Sequence, residues 1–341
     1  MQKANAIMPI EGTEDLPVFH VLALSGGGYR GLYTATILRQ LEEVLGRPIA
    51  SHFDLICGTS VGGILALGLA AEIPTDKLQA IFEEKGGCIF GSRSIGRRLT
   101  GFFTRAKHSN QGLSNVLNDT FGDMTVGQLK HRILIPTVNY STGRGQFFKT
   151  PHHPTFELDQ RMAVVDVALA TSAAPVYFPI VRNSRGAFVD GGLVGNAPGL
   201  FGLHEVRTFL APETGARIRV LSIGTMTNGA TMPGGTNLDR GFVQWRQSLF
   251  NLVISAQESS VDYMLRQMLR NDYVSLDEKP TPEQSNDVKE LDKVTIAATN
   301  TLKDRANHTF QRAIGDPNFQ VFREHFAKPA SFYHGPNKNT N

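Results

Sequence analysis

Residues 18–31, VFHVLALSGGGYRG, decide the fold. An apolar run feeds directly into a turn containing Gly26, Gly27 and Gly28, followed by Tyr29, Arg30 and Gly31. The run Val18–Leu24 reads as a buried strand. A helix is expected from Tyr29 to Leu45, because Leu32, Ala35, Leu38, Leu41 and Leu45 recur every three or four residues; Gly46 and Pro48 stop it. The same grammar returns at 53–71. Phe53 to Cys57 is a short strand, Gly58-Thr59-Ser60-Val61-Gly62 a sharp turn, and Val61 to Ala71 an apolar helix with almost no polar face. Strand–helix–strand–helix with tight glycine turns implies an α/β fold whose parallel sheet is covered on both faces.

The two turns carry complementary chemistry. Gly26, Gly27 and Gly28 expose bare backbone N–H groups at a helix N-terminus, a setting suited to negative charge. Gly58-Thr59-Ser60-Val61-Gly62 has the form of a nucleophile elbow, which lifts a serine hydroxyl clear of the sheet. The positive end of the following helix lies near the reacting oxygen. Anion hole and nucleophile are the two halves of an acyl-transfer site, and Ser60 is the expected nucleophile. Gly26, Gly28 and Gly31 also fit a dinucleotide fingerprint. That fingerprint wants an acid at the end of the second strand, where this chain has Cys57-Gly58-Thr59-Ser60.

At 341 residues and net charge +3, with 41% hydrophobic and 19% charged residues, the chain is globular and mildly basic. That balance implies no nucleic-acid polymer as partner. Cys57 and Cys88 are too few for a disulfide framework and fit a reducing cytoplasm. The N-terminal residues 1–17 read as a polar arm without a signal peptide, and the longest apolar stretch, Ile64 to Ala71, is too short to span a bilayer.

Further strands are expected at Ile133 to Val138, around Phe147 and Phe148, at Phe188-Val189-Asp190, and at Arg217 to Ile223; a helix is expected at Met162 to Ala173. Residues 86–118 contain no acid but hold Arg93, Arg97, Arg98, Arg105 and Lys107, interleaved with Phe90, Phe102 and Phe103. This segment is either a solvated loop or a cap that touches anionic lipid. A long helix follows Asn237, with Leu238, Phe242, Trp245, Leu249, Leu252 and Ala256 as a stripe, extended by Val261, Leu265 and Met268, that reads as core or, alternatively, as a subunit interface. Residues 277–290 read as a flexible loop.

A serine needs a base. His204 and His308 follow Asp190, so a triad can be written, but His204 falls within an expected helix at 200–209. Asp190 stands instead at a strand end before Gly191 and Gly192, where a sheet presents catalytic groups. Pro151-His152-His153-Pro154 with Glu157 lacks the helical spacing of a zinc site, so no metal is expected.

GGGYRG (26–31), GTSVGG (58–63), ATSAAPVYFP (170–179) and DGG (190–192) with Asn196-Ala197-Pro198 together resemble the patatin-like phospholipase family, in order and spacing, across roughly residues 18–225. One departure is Ser25, where the family often has Asp before its glycines. The resemblance implies a three-layer sandwich with a mostly parallel central sheet and helices on both faces. It implies a Ser60–Asp190 dyad without histidine and an oxyanion hole from the backbone around Gly27, Gly28 and Arg30. It requires neither metal nor cofactor, and implies a phospholipid membrane as substrate. The division expected is an arm at 1–17, a catalytic core at 18–225 and a mainly helical part at 226–341 packed on the core, with a regulatory role as one reading. Within the family, the run FHVLALSGGGYRGLYTATILRQLEE and the size resemble bacterial cyclic-dinucleotide-activated phospholipases of anti-phage defence. That implies a cytoplasmic enzyme acting at the inner face of the membrane, with a cyclic dinucleotide as activator and a homo-oligomer as a further expectation. The alternative is a constitutive lipid acyl hydrolase or esterase without nucleotide control.

Overall fold

Alternation along β1 (Val18–Leu24) sets the layers of the molecule. Leu22 and Leu24 enter a large core on one face of the sheet, while Val21 and Ala23 enter a smaller core on the other. The same period of two sends Ile56 to the first face and Leu55 and Cys57 to the second. The computed structural model describes residues 16–91, 105–212, 215–227, 238–239 and 242–339. The expected arm lies almost wholly outside the described residues, as do Arg93, Arg97, Arg98, Phe102 and Phe103 of the basic segment.

β1 is central. It pairs in parallel with β2 (Leu55–Gly58) and with β7 (Arg217–Ile223). β2 continues in parallel to β3 (Ile133–Asn139), and β7 in parallel to β8 (Tyr273–Leu276). The far edge is antiparallel: β3 pairs with both β4 (Arg144–Lys149) and β6 (Gly186–Asp190), and β6 with β5 (Val181–Asn183). The result is an eight-stranded, mostly parallel mixed sheet.

The larger core lies under α1 (Gly31–Leu45), α2 (Val61–Ala70), α3 (Thr75–Phe90), α4 (Asn110–Phe121) and α5 (Val164–Thr171). All ten residues of α2 are buried, which explains its lack of a polar face. Each fully buried Leu or Ile there contributes roughly 1.5–3 kcal/mol relative to exposure. A single turn, α6 (Gly192–Gly195), follows β6. On the opposite face lie α7 (Gly199–Glu205) and α8 (Phe242–Leu269). The chain closes with α9 (Ile296–Ala313) and α10 (Pro317–Glu324), whose Leu302, Phe310, Phe319 and Phe322 join the larger core.

Three expectations need correction. The long-helix stripe is core only in part: Leu238, Leu249, Leu252, Ala256 and Met268 are exposed, Leu265 is buried as expected, and among the described residues of α8 the other buried side chain is Ile254, off the stripe. A helix lying against a sheet at one place and a cavity at another buries no single continuous stripe. Residues 277–292 form a loop, but a packed one, with Val288 and Asp292 buried. β8 was not foreseen, and it carries the sheet past residue 225. Its four residues sit between a helix and an acidic loop, too short for a period to be read.

Candidate active site

The backbone at Ser60 is strained by design of the turn. Its φ is 54° and ψ −125°, a conformation that residues with a side chain rarely adopt. The glycines around it permit the tight passage from β2 to α2. A Cβ on Gly58 would lie 2.1 Å from the Gly62 carbonyl oxygen, and one on Gly62 would lie 2.3 Å from that of Leu24. The Ser60 N–H donates to Thr171 Oγ1 at 3.0 Å, and that hydroxyl donates to the Pro136 carbonyl, which fixes the elbow to α5 and β3.

Ser60 Oγ donates to Asp190 Oδ2 at 2.8 Å. Asp190 ends β6 and is 2% exposed. Its other oxygen accepts the Gly192 N–H at 2.7 Å, which sets the carboxylate plane. Burial pushes the Asp190 pKa up to about 6, against the hydrogen bonds from Gly192 and Ser60, which pull it down. A carboxylate so placed is a stronger base than one in water and is still ionised at neutral pH.

The glycine turn lies alongside. The Gly26 N–H donates to the Asn196 carbonyl at 3.1 Å, and Asn196 Nδ2 and Thr225 Oγ1 both donate to the Gly26 carbonyl. The Tyr29 N–H donates to the Leu291 carbonyl at 2.7 Å. Gly28 has φ +60°, and a Cβ there would meet the Leu291 oxygen at 2.2 Å. Among the described residues, the Gly27 and Gly28 N–H groups have no acceptor within the protein. The Arg30 N–H differs, since it donates to the Gly27 carbonyl at 3.2 Å and so closes the turn. The Arg30 side chain is buried, with the Met226 carbonyl 3.5 Å from one guanidinium nitrogen. Burial lowers its pKa, while the nearby carboxylates of Glu258 and Asp277 act the other way.

These groups open on one cavity of about 790 Å³. Gly26, Gly27, Gly28, Ser60 and Asp190 line it at one place, and its walls include Val61, Ile64, Phe82, Leu117 and Phe178. No histidine lines it among the described residues. A long apolar group fits such a space better than a polar one.

Residues 22–200 match the family model described as patatin-like phospholipase. The chain belongs to the patatin-like phospholipase family. It is 71% identical to a cGAMP-activated phospholipase of Pseudomonas aeruginosa, over 95% of this chain and 97% of that protein. A cGAMP-activated phospholipase of Vibrio cholerae is 36% identical over 84% of this chain and 88% of its own length. A cUMP-AMP-activated phospholipase of Escherichia coli is 28% identical, covering 86% and 91%. In this family member no helix among the described residues is long and apolar enough to cross a membrane.

The structure brings Ser60, Asp190 and the glycines 26–28 together, with Gly191 and Gly192 forming the turn that orients Asp190 and Gly31 opening α1. The histidines of the alternative triad stand elsewhere. His204 is exposed on α7 beside Thr208, and His308 is exposed beside Glu278. His152 is buried against Glu205 on the opposite face of the sheet. In the basic segment, Lys107 is not free: it pairs with Asp292 at 2.7 Å. Sequence reasoning missed the parts played by Thr171, Asn196, Glu258 and Leu291. Asn196 stood within a quoted motif and so was within reach. Glu258 gave no local signal, although a buried arginine in a glycine turn calls for a counter-charge somewhere in the chain.

Proposed function

We propose that this protein is a phospholipid acyl hydrolase that works through a Ser60–Asp190 dyad and an acyl-enzyme, and that a cyclic dinucleotide activates it. The observation that carries the chemistry is the direct 2.8 Å hydrogen bond from Ser60 Oγ to a buried carboxylate, with no imidazole between them. Ser60 Oγ attacks the ester carbonyl carbon as its proton passes to Asp190 Oδ2. The Gly27 and Gly28 N–H groups face the oxyanion. The intermediate collapses and expels the lysophospholipid alkoxide, which takes the proton back from Asp190. Water then attacks the acyl-enzyme, giving one proton to Asp190, and the intermediate collapses as Ser60 Oγ takes that proton back and the fatty acid leaves. The apolar cavity wall suits the acyl chain of the substrate.

Activation by a cyclic dinucleotide is supported by the names of the relatives above, the first of which spans almost the whole chain. Residues 226–341 are the part we assign to control, since they supply Leu291 and Glu258 to the edge of the site. The place of action we propose is the inner face of the bacterial membrane, in anti-phage defence. The test is release of fatty acid and lysophospholipid from mixed phospholipid vesicles, with and without a panel of cyclic dinucleotides, for wild type and Ser60→Ala. Release that needs Ser60 and rises with one nucleotide is expected. Release that survives Ser60→Ala overturns the dyad, and release indifferent to every nucleotide leaves the constitutive hydrolase as the reading.

A further inference from the structure

Two consecutive residues of α8 reach across to the loop that follows Asp190. Gln257 Nε2 donates to the Leu193 carbonyl at 3.0 Å, and Gln257 Oε1 accepts the Asn196 N–H at 3.3 Å. Glu258 Oε1 accepts from Asn196 Nδ2 at 2.6 Å. The same Nδ2 also donates to the Gly26 carbonyl at 3.0 Å, and the Asn196 carbonyl accepts the Gly26 N–H at 3.1 Å. Asn196 therefore stands between the glycine turn and α8, with the two hydrogens of its amide divided between Gly26 and Glu258.

This division fixes the amide plane. Asn196 is buried, so a rotation that broke either bond would leave a polar group without water to replace it. The surroundings leave no slack. A Cβ on Gly26 would lie 2.4 Å from Asn196 Oδ1 and 3.0 Å from Ser60 Cβ, so the amide, the turn and the nucleophile are in mutual contact. Burial raises the pKa of Glu258, while the charge of Arg30 and the hydrogen bond from Asn196 act against it. Glu258 lies outside residues 22–200, the stretch that matches the family model.

We infer that Glu258, backed by Gln257, is a positioning residue: through Asn196 it sets the glycine-turn N–H groups at their working distance from Ser60 and Asp190. The contacts stand by themselves; their catalytic meaning rests on the hydrolase reading above. Glu258 touches no reacting atom, and its effect falls on the rate of the chemical step rather than on substrate binding.

The experiment uses the full chain as Glu258→Ala, Glu258→Gln and Gln257→Ala, with Arg266→Ala as an exposed control on the same helix. Each is assayed on a short soluble ester with cGAMP added at saturating concentration, and backbone hydrogen exchange is followed in peptides covering 25–31 and 191–197. Glu258→Ala is expected to lower kcat about tenfold or more with KM within about twofold, and to speed exchange in both peptides. Glu258→Gln restores most of the rate, because an amide oxygen still accepts from Asn196 Nδ2. Wild-type kcat and exchange in Glu258→Ala overturn the inference, as does a Gln variant as slow as Ala. If Glu258→Ala does not fold, Gln257→Ala carries the test, with faster exchange expected at 191–197. If the wild type cleaves no ester, the dyad reading fails, and the exchange data still decide the clamp: unaltered protection at 191–197 sinks it.

Discussion

The Tyr29 N–H donates to the Leu291 carbonyl at 2.7 Å, so the glycine turn that follows the first strand is held by a loop from the last quarter of the chain. Leu291 also lines the cavity on which Ser60 and Asp190 open. The neighbouring Asp292 anchors the loop through His108 at 2.6 Å and Lys107 at 2.7 Å. The geometry of the glycine turn is thus a property of both ends of the sequence.

Removing that anchor should be costly. In Asp292→Ala the buried His108 ring loses its carboxylate and Lys107 its nearest one. Leaving a buried hydrogen-bonding group without its partner costs about 1–3 kcal/mol. The expected outcome is a lower urea midpoint with an unchanged slope, and a slower short-ester rate in the protein that remains folded. An unaltered midpoint would show that the pair contributes nothing to holding the loop.

Gly28→Ala should damage the turn directly. At φ +60° a Cβ is strained by roughly 1–2 kcal/mol, and it would lie 2.2 Å from the Leu291 oxygen. The loop must then move and release the Tyr29 N–H. We expect kcat to fall by more than an order of magnitude with a modest loss of thermal stability. Wild-type activity in this variant would mean that the turn does not face the oxyanion.

The proposed dyad predicts a sharp asymmetry among possible bases. Asp190→Asn keeps the size of the side chain but cannot accept the serine proton, so the rate should drop by several orders of magnitude. His204→Ala and His308→Ala should retain most activity, since both rings lie away from the cavity. A fluorophosphonate probe reports the same contrast at Ser60. A histidine variant as inactive as Asp190→Asn would restore the triad.

Activity should also titrate. Asp190 must be ionised to act as base, and burial holds its pKa at about 6. For a short ester, kcat/KM should be level at neutral pH and fall about tenfold per pH unit well below the limb. A limb near 4, the range of an ordinary carboxylate, would show that the site does not hold Asp190 as described.

Stability should titrate with the opposite logic at the far end of the sheet. His20 is buried on β1, with its ring stacked on His325 at 3.9 Å, and burial together with the charges of His325 and Arg219 lowers its pKa to about 2. The unfolded chain takes up that proton near pH 6.5, and the folded chain does not. His20 therefore contributes stability above pH 6.5 that is lost as pH falls below it, on the order of 1 kcal/mol per pH unit. Asp190 and Asp277, whose pKa values are raised to about 6 and about 7, act in the reverse sense, so the comparison is between wild type and His20→Gln. The variant should lose less stability between pH 6.5 and pH 4. Parallel melting curves for the two proteins would refute this.

Much of this was written in the sequence. β1 and β7 have the bounds that apolar runs predicted, because strands buried on both faces leave a nearly continuous hydrophobic signal. Ser60 and Asp190 announced themselves through the glycines that their turns demand. What stayed hidden was non-local. The face that α8 would turn inward depended on a cavity no helical period records, and the four residues of β8 gain their identity from β7. Glu258 and Leu291 matter because of what folds against them, and neither has a neighbour in sequence that says so.

The long-range ties of Gly26 and Tyr29 have a consequence for biosynthesis. Ser60 leaves the ribosome early, but Asn196, Thr225 and Leu291, which hold the turn beside it, follow in that order. β1 cannot find β7 until residue 223 is free, and β7 waits in turn for β8. Pairings between such distant segments form slowly, after the chain has emerged. A nascent chain of the proposed enzyme therefore carries its nucleophile without a working oxyanion turn for most of translation. The proposed catalyst is assembled only once the polypeptide is nearly complete.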